Sequence, residues 1–199
     1  MGCAACDHHV VTRIIAGEAR GRRLLVPPGK ITRPTSDRAR EGLFSTVESL
    51  IGSLAGLRIL DLYAGSGAFG LESLSRGAAH ALMVENDERA AAVLRRNVSE
   101  LGFPGAQVRA ERVESLARSL PHKPYDVVLA DPPYAVEAAA LGRILDELLA
   151  AKWLRPEAVV AVERASRDAP WTWPDGIDAV RERKYGEATL WYGRRAAGT

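Results

Sequence analysis

The sequence predicts a doubly wound α/β fold: a mostly parallel sheet with helices on both faces. Three observations lead there. From residue 57 onward, apolar runs of strand length alternate with stretches of helical periodicity. The runs are continuous rather than alternating, as strands covered on both faces require. The first of them leads straight into a glycine-rich turn, "DLYAGSGAFGLE" at 61–72. The chain is 199 residues long, 47% hydrophobic and 26% charged, which suits one globular domain with a core.

The elements follow in order. "TRIIAGEARGRRLLVPPG" (12–29) reads as a β-hairpin carrying arginines, turned at Gly-Glu-Ala-Arg-Gly and closed by Pro27, Pro28 and Gly29. Leu43, Phe44, Val47, Leu50 and Ile51 recur at helical spacing, so a helix spans about 36–52 with Thr35 or Ser36 as its cap. Phe44 is read as core by that spacing, with the wall of a base pocket as the competing role. Strand "LRILDLYA" (57–64) precedes a helix at about 68–76. Strand "HALMVEN" (80–86) precedes helix "DERAAAVLRRNVSELG", stopped by Gly102. The weaker strand "AQVRAER" (106–112) precedes the short helix "VESLARSL". "YDVVLADPP" (125–133) is a fourth strand, "EAAALGRILDELLAAKW" a helix and "EAVVAVERA" (157–165) a fifth strand. "DAVRERKYGEATLWYG" (178–193) reads as two strands joined near Gly186, giving seven strands with an antiparallel edge. No repeat or low-complexity linker divides the chain.

Residues 1–11 read as a disordered extension, 12–34 as a basic hairpin arm and 35–199 as the main domain. Cys3, Cys6, His8 and His9 nominally supply four zinc ligands, but the two pairs lie much closer together than finger-type sites place them. No metal is expected. The apolar runs are far too short to cross a bilayer and "MGCAACDHHVV" lacks a secretory pattern, so the expected location is cytoplasmic. Net charge is only +2, yet residues 12–40 hold eight basic side chains against Glu18 and Asp37. Such an arm suits a polyanionic partner; a solvated charged surface is the plainer alternative.

Ligands of open α/β sheets bind beyond the carboxyl ends of the strands, so the informative residues should cluster there. Gly65, Gly67 and Gly70 satisfy the GxGxxG spacing, and Glu85 ends the second strand where it can accept hydrogen bonds from ribose hydroxyls. NAD and S-adenosylmethionine both suit this geometry. Asp61, four residues before Gly65, would repel a pyrophosphate and attract an ammonium group. Alternatively it caps the loop by accepting from backbone N–H groups.

"DPPY" (131–134) follows the fourth strand. The exocyclic amino nitrogen of a nucleobase is a poor nucleophile, because its lone pair is delocalised into the ring. A catalyst must accept both N–H bonds and hold the base plane still. Asp131 can accept one bond and the Pro132 carbonyl the other; the prolines fix the backbone, and Tyr134 offers a face for an unstacked base. Each residue alone has an ordinary structural use, as strand stop, helix cap or core ring.

Taken together, "TRIIAGEARGRRL", "TRPTSDRAREGLF", "LDLYAGSGAFGLESLSRGA", "VEND" and "DPPY" resemble the RsmD family of 16S rRNA guanine-N2 methyltransferases. The resemblance runs from about Val11 to the last strand. It implies a Rossmann-like class I methyltransferase fold that uses S-adenosylmethionine and releases S-adenosylhomocysteine. The implied substrate is 16S rRNA within the small ribosomal subunit, and a monomer is expected. Asp131, Pro132 and Tyr134 would be catalytic. Asp61, Tyr63, Ala64, Gly65, Ser66, Gly67, Glu85, Asn86, Arg112, Val113 and Asp131 would bind the cofactor. Arg13, Arg20, Arg22, Arg23, Arg33 and Arg38 would bind RNA, whereas Arg181, Arg183 and Lys184 read as solvated edge-strand charges. The extension at 1–11 and the plain third-strand end "RAERVES" depart from the family pattern. Rival readings are a related methyltransferase acting on adenine N6, cytosine N4 or a protein glutamine, a nicotinamide-dependent oxidoreductase, and a non-catalytic RNA-binding module.

Overall fold

A computed structural model describes residues 12–27 and 37–197. The CxxC segment, Arg33 and the expected cap at Thr35 or Ser36 lie outside these residues. A short antiparallel hairpin comes first, β1 (Thr12–Arg13) with β2 (Arg23–Leu24), and α1 (Asp37–Ile51) follows. The remaining elements alternate as β3 (Arg58–Leu62), α2 (Ala68–Ser75), β4 (His80–Val84), α3 (Glu88–Leu101), β5 (Ala106–Arg109), α4 (Val113–Ala117), β6 (Tyr125–Ala130) and α5 (Ala138–Ala150). Three long strands close the chain: β7 (Leu154–Ala165), β8 (Ile177–Tyr185) and β9 (Ala188–Arg195).

The seven-stranded sheet has the order β5-β4-β3-β6-β7-β9-β8. All pairings from β5 to β7 are parallel, and β9 runs antiparallel to both β7 and β8. The antiparallel pair therefore closes one side, with β9 inserted and β8 at the edge. Because side chains alternate along a strand, each central strand feeds two apolar layers. Ile59, Met83, Val127, Leu129 and Val159 pack under the hairpin and helices α1 to α3. Leu60, Leu62, Val84, Val128 and Val160 pack under α4 and α5. Burying each such side chain contributes about 1.5–3 kcal/mol, so the paired layers fix strand register.

Local signals fix the ends of α3. Asp87 caps α3 by accepting from the Ala90 N–H at 2.8 Å, and Gly102 ends that helix in the left-handed region at φ 73°. Phe44 is fully buried in the core. His80 opens β4, at the end of the sheet opposite the carboxyl edge. Among the described residues no helix is long and apolar enough to cross a membrane.

The hairpin is stitched to the body rather than projecting from it. Ile14 and Leu24 enter the core. Glu72, fully buried in α2, accepts from the Ile15 and Ala16 N–H groups at 2.6 and 2.9 Å and from Arg76 Nε at 2.8 Å. Gly17 holds φ at +81°, and a Cβ there would lie 1.8 Å from the Ser75 carbonyl oxygen, so only glycine fits this contact. Glu72→Ala would leave two hairpin N–H groups and part of a guanidinium without partners. The expected loss is about 3 kcal/mol in chemical denaturation, with faster amide exchange confined first to residues 12–24.

Candidate active site

The carboxyl ends of β3, β4 and β6 open into a cavity of about 270 Å³. Parallel register puts them there. Asp61 pairs with Met83 and Leu129, and Leu62 with Val84 and Ala130, so the residues that follow each strand emerge side by side.

From β3 come Asp61 and Tyr63, then Ala64, Gly65 and Ser66; from β4 come Glu85 and Asn86; from β6 come Asp131, Pro132 and Tyr134. All ten line the cavity, which brings the proposed cofactor and catalytic sets into one space. Gly67, Arg112 and Val113 do not line it. Gly67 caps α2 at φ 86°, where a Cβ would strike Leu94 and Leu71. Val113 is buried in the layer under α4 and α5, and Arg112 caps α4 with an exposed side chain.

The glycine turn is held by carboxylates. Glu85 accepts from the Gly65 N–H at 2.9 Å and the Asp87 N–H at 2.8 Å, binding the loop after β3 to the tip of β4. Asp61, 1% exposed, accepts from the Gly70 N–H at 2.9 Å while lining the cavity. Asp61 thus bonds a backbone N–H of α2, as the capping alternative expects, while lining the cavity. Tyr63 turns the chain at φ 63°, a left-handed conformation that costs a non-glycine residue about 1–2 kcal/mol.

Sequence reasoning missed the lid of the site. Thr12, Val26 and Pro27 line the cavity, as do Arg40, Ala68, Phe69 and Pro133. Arg40 is 1% exposed; it donates to Thr12 Oγ1 at 2.8 Å, the Arg13 carbonyl at 2.8 Å and Asp37 Oδ1 at 2.9 Å. Its Nε has no hydrogen-bond partner among the described residues. Asn97, on α3, exchanges two hydrogen bonds with the Leu25 backbone and donates to the Ser66 carbonyl at 2.9 Å. It couples the segment after β2 to the glycine turn. The one available signal is an asparagine within an otherwise regular helix.

Of the arginines assigned to RNA, Arg13, Arg20, Arg22, Arg23 and Arg38 are exposed. Arg13 pairs with Asp37 at 2.8 Å, and Arg22 donates to the Glu100 carbonyl at 2.9 Å.

The model of the family described as Conserved hypothetical protein 95 matches residues 12–194. The chain belongs to this family. The Ribosomal RNA small subunit methyltransferase D of Escherichia coli (strain K12) is 38% identical over 188 residues, 94% of this chain and 91% of that protein. Its Haemophilus influenzae counterpart is 34% identical over 179 residues, 87% of this chain and 89% of that protein. The solved structure of yhhF from Escherichia coli superposes with a TM-score of 0.82 at 32% identity, covering 94% of this chain and 99% of that one. The resemblance drawn from the motifs therefore holds, and the chain is a methyltransferase with the Rossmann-like class I fold.

The cavity suits a cationic cofactor. Burial raises the pKa of Asp61 to about 8; the Gly70 N–H opposes this rise, and the nearby charges of Asp131 and Glu85 add to it. A ligand bearing an ammonium and a sulfonium would relieve that crowding of carboxylates, whereas a pyrophosphate would aggravate it. The sign of the stability effect follows. An acid whose folded pKa lies above its unfolded value of about 4 stabilises the fold most below that value, and this contribution is lost as pH rises to about 8. The ligand-free protein should lose stability, on the order of a few kcal/mol, between about pH 4 and about pH 8. In Asp61→Asn, urea denaturation across that range should show a flatter profile.

Proposed function

We propose that this chain transfers a methyl group from S-adenosylmethionine to the exocyclic 2-amino group of a guanine in 16S ribosomal RNA. The observation that carries this reading is the shared cavity: Asp131, Pro132 and Tyr134 open onto the same space as the glycine turn and Glu85.

S-adenosylmethionine, when bound, supplies an electrophilic methyl on sulfur. Glu85 would accept from ribose hydroxyls, and Gly65 would allow close backbone approach, since nothing lies within 4 Å of a Cβ built there. Asp61 would face the ammonium group. Asp131 and the Pro132 carbonyl accept the two amino hydrogens of guanine and turn the nitrogen lone pair toward the methyl. With the cofactor bound, the S–C electron pair would stay on sulfur as the methyl passes to nitrogen, and the cationic amino group would release its surplus proton to Asp131 and from there to solvent. Asp131 stabilises that developing charge. A strong base is not required. The mechanism needs no thiol nucleophile, and the sequence has no cysteine after position 6.

Tyr134, 67% exposed, presents a ring at the cavity mouth on which an unstacked base can rest. Stacking of that kind is worth about 1–3 kcal/mol per base, enough to offset part of the cost of extraction. The exposed arginines of the hairpin, Arg20, Arg22 and Arg23, with Arg13, Arg33 and Arg38, would hold phosphates beside the sheet. The substrate we propose is RNA assembled into the small subunit, met by a monomeric enzyme in the cytoplasm.

Asp131→Ala should lower tritiated-methyl incorporation by at least about a hundredfold while calorimetry shows cofactor affinity within about threefold of wild type. Near-normal turnover in that variant would refute the role. Mass spectrometry of ribosomal RNA after reaction should place the new methyl on guanine N2; a mark on adenine or cytosine would move the assignment to another base. Replacing Arg20, Arg22 and Arg23 together by alanine should weaken RNA binding and reduce its salt dependence, the slope falling by about one for each phosphate no longer neutralised.

A further inference from the structure

The surface beyond Tyr134 holds an arginine that nothing in the motifs points to. Tyr134 lines both the large cavity and a small adjoining depression, which it shares with Asp131 and Pro132 and with Glu163, Arg164 and Ala165 at the carboxyl end of β7. The turn after β7 carries Arg167, whose guanidinium carbon lies 5.8 Å from the centroid of the Tyr134 ring. Two neighbours fix that turn. Arg164, with a side chain 9% exposed, donates to the Val136 carbonyl at 2.7 Å and pairs with Asp168 at 3.0 Å, joining the turn to the "DPPY" loop. The Ser166 N–H donates to the Glu187 carbonyl at 2.7 Å, and the Asp168 N–H to that of Ala165 at 2.9 Å.

Arg164 is thus committed to holding two loops in place. Arg167 differs: it is exposed, and its guanidinium rests over an aromatic ring instead of bridging segments. A guanidinium held over a tyrosine ring by cation–π attraction can be held equally over a nucleobase. We propose that Arg167 is a substrate-binding residue that forms the second jaw of a clamp, with the target base sandwiched between its guanidinium and the Tyr134 ring. The proposal rests on the functional reading above. Magnitude adds a requirement. A base between two flat groups needs about 7 Å, two contact distances of about 3.5 Å, so the jaws must part by roughly 1 Å. A long exposed side chain on a pinned turn can make that movement without disturbing the strand. With no base present, the same guanidinium rests over the ring.

The test uses full-length protein loaded with S-adenosylhomocysteine and unmethylated small ribosomal subunits whose 16S RNA carries a fluorescein label. Arg167→Ala should weaken binding by about tenfold, as expected for loss of one stacking partner. Its melting temperature should be unchanged. Arg167→Lys keeps the charge but not the plane, and should remain close to the alanine variant. Wild-type affinity in Arg167→Ala, full restoration by lysine, or no binding of the subunit by the wild type would each overturn the clamp. Methyl transfer to ribosomal RNA is measured separately. Arg167-dependent binding without any methyl transfer would uphold the clamp and refute the activity. Methyl transfer by Arg167→Ala at wild-type kcat/KM would refute the clamp and leave the activity standing.

Discussion

Parallel register across β4, β3 and β6 is the constraint on which the site depends. Because Leu62 lies level with both Val84 and Ala130, Glu85 and Asp131 emerge on either side of the turn that follows Asp61. A slip of one residue would send the apolar sets of a strand to the wrong layer, so burial on both faces protects the geometry of the mouth. The cost is electrostatic: three carboxylates share one partly dry space. The protein answers with backbone N–H donors, from Gly70 to Asp61 and from Gly65 and Asp87 to Glu85.

A second layer of control comes from chain before the sheet. The hairpin seats on α2 through Glu72 and Ser75, and the segment after it passes Asn97 on its way past the glycine turn. Arg40 ties β1 to α1, with Thr12 and the Arg13 carbonyl as acceptors. The arm that displays exposed arginines is therefore rigidly joined to the wall of the cavity. RNA held by those arginines would be positioned relative to Asp131 by packed structure rather than by a tether.

Much of this is legible in the sequence. The central strands announce themselves as apolar runs, and the glycine turn, Glu85 and "DPPY" each sit where a strand ends, so topology alone brings them together. What stays hidden depends on contacts between distant segments. Arg40 reads only as one of eight basic side chains in residues 12–40, yet it is buried where its guanidinium meets β1 at Thr12. Val26 and Pro27 read as the end of a hairpin, yet Asn97 draws them over the turn. β7 begins at Leu154 rather than at Glu157 as expected; the strand accommodates Pro156 beside an irregular register with β6 and a left-handed Glu157 at φ 64°. Arg112 and Val113 fall outside the cavity because β5 ends at Arg109 and the chain then turns into α4.

The most direct test of the central claim is a crystal structure of the protein with S-adenosylhomocysteine. The account requires the ribose hydroxyls against Glu85, the amino-acid end between Gly65 and Asp61, and the sulfur facing the Asp131–Pro132 backbone. A ligand seated elsewhere, or a sulfur turned away from residue 131, would contradict it.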